Sequence, residues 1–190
     1  MDSMFSCCCG LTELDLTGLD TSKVKDMSSM FFLCTNLRKI NMSFFNTQNV
    51  TTMFNMFCES SQLIELDLSS FDTSKVTDMV QMFSDCQSLA KIKLSFNTSN
   101  VTDMTRLFDC CENLHELDLS SFDTKNATNM EEMFKNCYNL TKIDISNFKM
   151  KSDAELRDMF YNCINLKKVK VNDDSYIKLK EKNKSDIFYV

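Results

Sequence analysis

Cysteine and histidine are the side chains of this sequence with the chemistry to bind a metal, form a disulfide or act as a nucleophile. The chain of 190 residues has ten cysteines and one histidine, His115. Neither Cys7-Cys8-Cys9 nor Cys110-Cys111 with His115 has the Cys-x-x-Cys spacing of zinc sites. A dyad of Cys111 and His115 would need an orienting third residue and a pocket, and the sequence indicates neither. We therefore expect no catalytic residue, no metal, no cofactor and no enzyme activity.

Six of the cysteines recur at one spacing, and Ser60 fills the single gap in the series. A small side chain that repeats in this way is typical of a buried core position. Neighbouring repeats would also bring Cα atoms close to disulfide distance, so packing thiols and disulfides are both open at this point, although Ser60 shows that pairing is not required. The six are Cys8, Cys34, Cys86, Cys111, Cys137 and Cys163.

A Met-Phe or Leu-Phe dipeptide recurs at the same spacing, 26 residues with one step of 25. This period is the signature of a repeat protein. Because the chain contains only two glycines and no proline, it offers no linker. We predict a single repeat domain over residues 1–171, in about seven copies, and a C-terminal cap over residues 172–190 that includes Tyr176–Leu179 and Ile187–Val190. The phenylalanines of the dipeptide are Phe5, Phe31, Phe57, Phe83, Phe108, Phe134 and Phe160.

Each copy has two halves with different hydrophobic periods. Leu63, Leu66 and Leu68 fit a short strand with one buried face. Residues 76–83 have apolar side chains at i, i+3, i+6 and i+7, which predicts a helix of about two turns, and Asp72-Thr73-Ser74 before them suits a turn and helix N-cap. Such units repeat by stacking. The predicted fold class is therefore α/β: a solenoid with a parallel β-sheet on one side and short helices on the other, with a second phenylalanine column at positions 45, 71, 96, 122 and 148.

The repeat also resembles a known family. The string L-x-x-L-D-L-S-x-F-D-T-S-x-V-x-D-M-x-x-M-F-x-x-C-x-x-L, as it stands in residues 63–89, is similar to the repeats of BspA-like leucine-rich-repeat surface proteins, and the resemblance extends over residues 1 to about 171. It implies a right-handed solenoid, a non-enzymatic role in adhesion and protein binding, host or extracellular-matrix proteins as partners, and a location at the cell surface or outside the cell.

Charge and hydropathy limit the classes of partner that are expected. The net charge is −6; residues 164–184 hold seven lysines and three acids, which is +4, so the rest carries −10. Without a basic face, nucleic acid is not expected as a partner. No apolar run is long enough for membrane insertion, and the N-terminus MDSMFSCCCG lacks a signal-peptide pattern. A cytoplasmic protein, or a fragment of a longer one, acting as an intracellular interaction scaffold is therefore the alternative.

One candidate binding patch comes from positions where the repeats differ. On the predicted helices, two outward positions four residues apart are apolar only in the early copies, and a turn residue adjoins them. The patch consists of Phe32, Phe44, Phe54, Cys58 and Val80. The alternative is that these side chains fold back and enlarge the core.

Three further expectations concern rows and edges. A strand-side row alternates in charge from Glu13 through Lys39 to Lys142 and predicts a ladder of ion pairs, which is as consistent with a structural row as with a ligand site.

A less favoured function is a structural ladder with an ice- or mineral-binding face of Thr21, Thr47, Thr73, Thr98 and Thr124. The uncovered strand of residues 11–16 predicts a homodimer through the N-terminal edge, or a further repeat upstream.

Overall fold

The computed structural model describes residues 1–182. Its regular elements are short, since the strand half of each repeat contributes at most four residues. The strands are β1 (Glu13–Leu14), β2 (Lys39–Ile40), β3 (Glu65–Leu68), β4 (Lys91–Leu94), β5 (Lys142–Asp144) and β6 (Lys168–Lys170), and the helix is α1 (Asp173–Lys182).

The strands pair in parallel, one repeat with the next, but not as the single continuous sheet that was predicted. β1 pairs with β2, β3 with β4, and β5 with β6. Residues 114–119, the strand half of the intervening repeat, form no regular strand. The 25-residue step lies just before this break, because Ser95 alone separates Leu94 from Phe96. The sheet is also interrupted between β2 and β3, where the 26-residue spacing is kept.

The second half of each repeat is not helical, so the prediction of short helices was wrong. In residues 79–85, alternate backbone N–H groups donate to the next repeat: Met79 to the Asp103 carbonyl at 3.2 Å, and Gln81 to Thr105 at 2.9 Å. The intervening N–H groups form tight turns, as from Met82 to Met79 at 3.2 Å. The backbone donors are thus bonded between repeats, and none is left for an i to i−4 helix. Isolated parallel bridges extend this ladder through Asp26, Thr52, Asp78, Asp103, Asn129 and Glu155.

Left-handed backbone conformations allow this alternation. Fourteen non-glycine residues of the described part have φ between 52° and 62°, at two positions four residues apart in each copy. Gln81 and Asp85 are one such pair. A side chain in this region costs about 1–2 kcal/mol per residue. The ladder hydrogen bonds between repeats must offset that cost.

The core between strand side and ladder is formed by the predicted columns. Rings of the first phenylalanine column stack from Phe5 to Phe160, with neighbouring centroids 5.3–5.9 Å apart. In the second column Phe45 stacks on Phe71, and Phe96, Phe122 and Phe148 stack in turn at 6.2–6.5 Å. Among the described residues, Phe71 and Phe96 do not stack on each other. The second column is therefore interrupted at the shortened repeat.

The C-terminal helix packs on the last repeats. Leu179 is buried, and Asn172 donates through its amide to the Phe148 carbonyl at 2.6 Å. The Ser175 hydroxyl donates to the same carbonyl at 3.1 Å. Residues 187–190, assigned to the cap by sequence, lie outside the described residues. Between residues 1 and 182 no helix has the length and apolar character needed to cross a membrane.

Candidate protein-binding surface

The ladder half of each repeat presents one continuous surface, which we call the turn face. It consists of residues 26–33, 52–59, 78–85, 103–110, 129–136 and 155–162. Because N–H groups of one repeat bond to equivalent carbonyls of the next, side chains at the same repeat position form rows across this face. Residues at the same repeat position are therefore neighbours on this face.

Three of the five predicted patch residues lie on the turn face with part of their surface exposed. Phe32, Phe54 and Val80 are half-buried, whereas the phenylalanines of the core columns after Phe5 are buried. Asn55 donates its N–H to the Val80 carbonyl at 3.0 Å, which fixes Phe54 and Val80 as equivalent residues of adjacent repeats. We call Phe32, Phe54 and Val80 the apolar strip.

The other two predicted residues are not among the exposed apolar residues of the turn face. Cys58 lies within residues 52–59 but is only 3% exposed, and burial raises the pKa of its thiol to about 12. Phe44 is 58% exposed and lies in the turn that follows β2, outside the turn face. The position of Cys58 was chosen by helical geometry, and the segment is not a helix.

Asn55 was not predicted and lies within the surface. Its side-chain oxygen Oδ1 is buried and has no hydrogen-bond partner within the described structure. A buried acceptor without a donor costs about 1–3 kcal/mol. Asn55 follows Phe54 in the chain and has a φ of 54°, a conformation that asparagine tolerates better than most residues. No sequence pattern identified this orphaned acceptor.

Carboxylates border the apolar strip on both sides. On one side the Asp78 carboxylate accepts the Val80 N–H at 2.9 Å, and Asp78 is the parallel bridge partner of Asp103. On the other, Asp85 donates its N–H to the Asp109 carbonyl at 2.8 Å, so these two residues are also adjacent. Burial, with the charge of Asp103, raises the pKa of Asp78. Burial, with the charge of Asp85, raises the pKa of Asp109.

The later repeats have compensated charges instead. Glu132 is 7% exposed and lies 2.5 Å from the Arg106 guanidinium and 3.2 Å from the Lys135 ammonium. Glu131 pairs with Arg157 at 3.0 Å. The turn face is therefore divided into an apolar part with acids at its edges and a part covered by ion pairs.

On the strand side, the predicted ion ladder forms only in part. Lys39 pairs with Glu65 at 2.7 Å and Lys142 with Glu116 at 2.9 Å. Lys91 and Lys168 of the same row make no ion pair with any residue the structure describes. A groove of about 520 Å³ lies over residues 116–118 and β5. Acids and lysines line it in equal number, so its charge favours no class of ligand.

The threonine face proposed for ice or mineral binding does not exist. Thr21, Thr47, Thr73, Thr98 and Thr124 are at most 2% exposed. The Thr73 hydroxyl donates to the Asn97 carbonyl of the next repeat at 3.0 Å, and the other hydroxyls of the row through Thr98 do the same. The row bonds repeats together, and the structural-ladder function is excluded because a buried threonine cannot contact ice.

The cysteine column has a structural role in the interior. All ten cysteines are free thiols. Cys111 is buried and donates to the Phe83 carbonyl at 3.2 Å, whereas His115 is exposed. Over residues 1–182, no three His, Cys, Asp or Glu side chains are grouped so that they could hold a metal ion.

Comparison with known proteins identifies the family. The model of the family described as Mycoplasma protein of unknown function, DUF285, matches residues 1–94 and again residues 90–188. No curated protein matches the chain. A leucine-rich repeat protein from Bacteroides ovatus ATCC 8483 is 17% identical over 90% of this chain, with a TM-score of 0.34, and this chain covers 58% of it. A leucine rich cell surface protein from Faecalibacterium prausnitzii A2-165 is 16% identical over 90% of this chain and 69% of its own, with a TM-score of 0.23. On the two matches of the family model, the chain belongs to the DUF285 family.

Proposed function

We propose that this chain is a non-enzymatic protein-binding module and that the apolar strip on the turn face is its contact surface. The observation that carries the proposal is that Phe32, Phe54 and Val80 are only partly buried. The ladder does not require apolar residues there, since Thr105 and Glu131 occupy the row of Phe54 in later repeats. Large apolar side chains retained at a surface usually mark contacts between proteins.

The proposal includes the architecture that displays this surface. We infer a right-handed solenoid of about seven stacked repeats, supported by the phenylalanine stacks and by the bridges from Asp26 to Glu155. Each repeat then buries its apolar side chains against its neighbours, and the turn face becomes an extended rigid surface. Rigid, extended surfaces of this kind favour binding to other proteins.

The resemblance of the repeat to BspA-like surface proteins is the ground for proposing display at the cell surface, with host or extracellular-matrix proteins as partners. Protease treatment of intact cells tests the location, since loss of the protein is expected only if it is exposed outside. An intracellular scaffold that uses the same turn face is the second candidate. A homodimer through the edge of β1 stays a prediction, to be tested by light scattering.

The decisive experiment compares three variants of the chain. Replacing Phe32 and Phe54 with serine should lower the melting temperature by less than about 3 °C, whereas Phe57→Ser in the core should lower it by about 10 °C or more. Each immobilised protein is then exposed to a surface extract of host cells. We expect proteins retained by the wild type to be lost with the Phe32→Ser/Phe54→Ser variant.

A matched control replaces two other exposed apolar residues, Ile164 and Ile177, with serine. They are 72% and 56% exposed and lie outside the apolar strip. This control should retain the same proteins as the wild type. Retention of those proteins by the Phe32→Ser/Phe54→Ser variant would refute the assignment of the surface. A melting temperature as low as that of Phe57→Ser would show that the strip belongs to the core.

A further inference from the structure

The charged groups around the apolar strip indicate what kind of partner binds it, and this inference rests on the proposed function. Six carboxylates lie beside the strip in the early and middle repeats, and none forms an ion pair with a described residue. They are Asp26, Asp78 and Asp103 on one side and Glu59, Asp85 and Asp109 on the other.

Two pairs among these acids place like charges side by side. Asp78 and Asp103 are direct bridge partners, and Asp85 and Asp109 are joined by a backbone hydrogen bond. Like charges directly opposite each other destabilise a ladder. The charges of Arg106 and Lys135 act on Asp109, but both side chains are engaged by Glu132, at 2.5 and 3.2 Å. The Asp78–Asp103 pair has no ion-pair partner among the described residues. Such pairs lose their repulsion when a cation lies between them.

We propose that the turn face binds a basic, amphipathic polypeptide segment of a separate protein. An apolar side chain of that segment packs on Phe54 and Val80, and lysine or arginine side chains lie against Asp78 with Asp103 and against Asp85. Nucleic acid and anionic lipid are negatively charged, as this border is, and are repelled by it. Charge complementarity of this kind determines which partner is selected and how fast it associates.

Two synthetic peptides of about 14 residues test the proposal. They share the same leucines and one tryptophan and differ only in having lysine or glutamate at every polar position. Binding to the full chain is followed by fluorescence anisotropy at two salt concentrations. We expect the lysine peptide to bind about ten-fold more tightly than the glutamate peptide, with a difference that shrinks at high salt.

Three variants assign the effect to the strip. Phe54→Ser and Asp78→Asn/Asp85→Asn should each weaken binding of the lysine peptide by about five-fold or more. The matched control is Asp15→Asn/Asp118→Asn, which removes the same charge from exposed acids on the strand side and should leave binding unchanged.

Equal binding of the two peptides would overturn the proposal by showing that charge does not select the partner. An equal loss in the control would overturn it by showing attraction to net charge alone. Self-association of the chain through the strip, lost in Phe54→Ser, would also overturn it, because the occupant would then be a second copy. If Phe54→Ser abolishes retention of host proteins while Asp78→Asn/Asp85→Asn does not, the protein-binding function stands and the basic partner is wrong. If Phe54→Ser changes neither retention nor peptide binding, the proposed function itself fails.

Discussion

The Cys86 thiol donates a hydrogen bond of 3.1 Å to the backbone carbonyl of Phe57, one repeat earlier. Ser60, the one exception in the cysteine column, makes the equivalent bond to Phe31 at 2.8 Å. The column is therefore defined by a small side chain that donates a hydrogen bond, and sulfur itself is not required. This relationship explains why serine can replace cysteine there.

Substitutions at Ser60 test this role. Ser60→Cys should change the free energy of unfolding by less than about 0.5 kcal/mol, because the donor is kept. Ser60→Ala should lower it by about 0.5–1.5 kcal/mol, the usual net contribution of one hydrogen bond. Urea unfolding of the three proteins measures both differences. Equal stability of Ser60→Ala and the wild type would contradict the role.

Native alkylation should separate the column from the exposed cysteines. Burial raises the pKa of the Cys34 thiol to about 11 and that of Cys163 to about 12, and it raises the pKa of Cys111 as well. The thiolate is the reactive form, so these residues should stay unmodified by iodoacetamide at pH 8. Cys7 and Cys9 are exposed and should react. Peptide mass spectrometry reads each site, and labelling of Cys111 as fast as Cys9 would refute the buried column.

Two carboxylates should affect the pH dependence of stability with opposite sign. A hydrogen bond from Lys170 at 2.8 Å, with help from Ser146, lowers the pKa of Asp144 to about 2. Its contribution is present at neutral pH and is lost as the pH falls from about 4 towards 2. Asp144→Asn should therefore lower stability at pH 7, and the difference should vanish near pH 2.

Asp109 should behave in the opposite way. Burial raises its pKa, so its protonated form favours the folded state and this contribution is lost as the pH rises above the ordinary aspartate value. Asp109→Asn should raise the free energy of unfolding at pH 7, with a difference that shrinks below about pH 4. Urea unfolding at several pH values measures both variants. A loss of stability in Asp109→Asn at pH 7 would contradict the assigned cost.

Residue spacing was sufficient to predict the repeat and the contents of the core. Phe57, Phe71 and Cys86 recur at positions that can be read directly from the sequence, and a stacked repeat places equivalent residues in one column. The strand half was predicted correctly in six of the seven copies, since six of them contain a short parallel strand. The break at residues 114–119 could not be deduced from spacing, because Leu114, Leu117 and Leu119 keep the pattern of the other strand halves.

The ladder half could not be predicted from its apolar period. Val76, Met79, Met82 and Phe83 are buried in the ladder, as they would be in a helix, so the pattern fits both structures. The two differ in where backbone N–H groups donate, and the acceptors of the ladder lie 24 or 25 residues away in the next repeat. The chain has only two glycines, yet residues such as Leu33 and Gln81 adopt left-handed conformations.

Part of the candidate surface could be predicted from the sequence. Phe32 and Phe54 were identified because they depart from the rest of their rows, which needs no knowledge of the backbone. Cys58 was included because helical geometry was assumed, and Phe44 because its turn adjoins the predicted helices. The acidic border could have been recognised by aligning Asp78 with Asp103 across repeats, whereas the orphaned Asn55 acceptor depends on packing that no alignment of repeats contains.

The left-handed ladder places Phe54 beside Val80 on one surface, so the proposed binding surface depends on it. The most direct measurement is the difference in free energy of unfolding between Gln81→Gly and Gln81→Ala. Gln81 has a φ of 55°, so the ladder predicts that glycine is more stable than alanine by about 1 kcal/mol. A helix at this position would make alanine more stable than glycine by about the same amount, and that result would contradict the account.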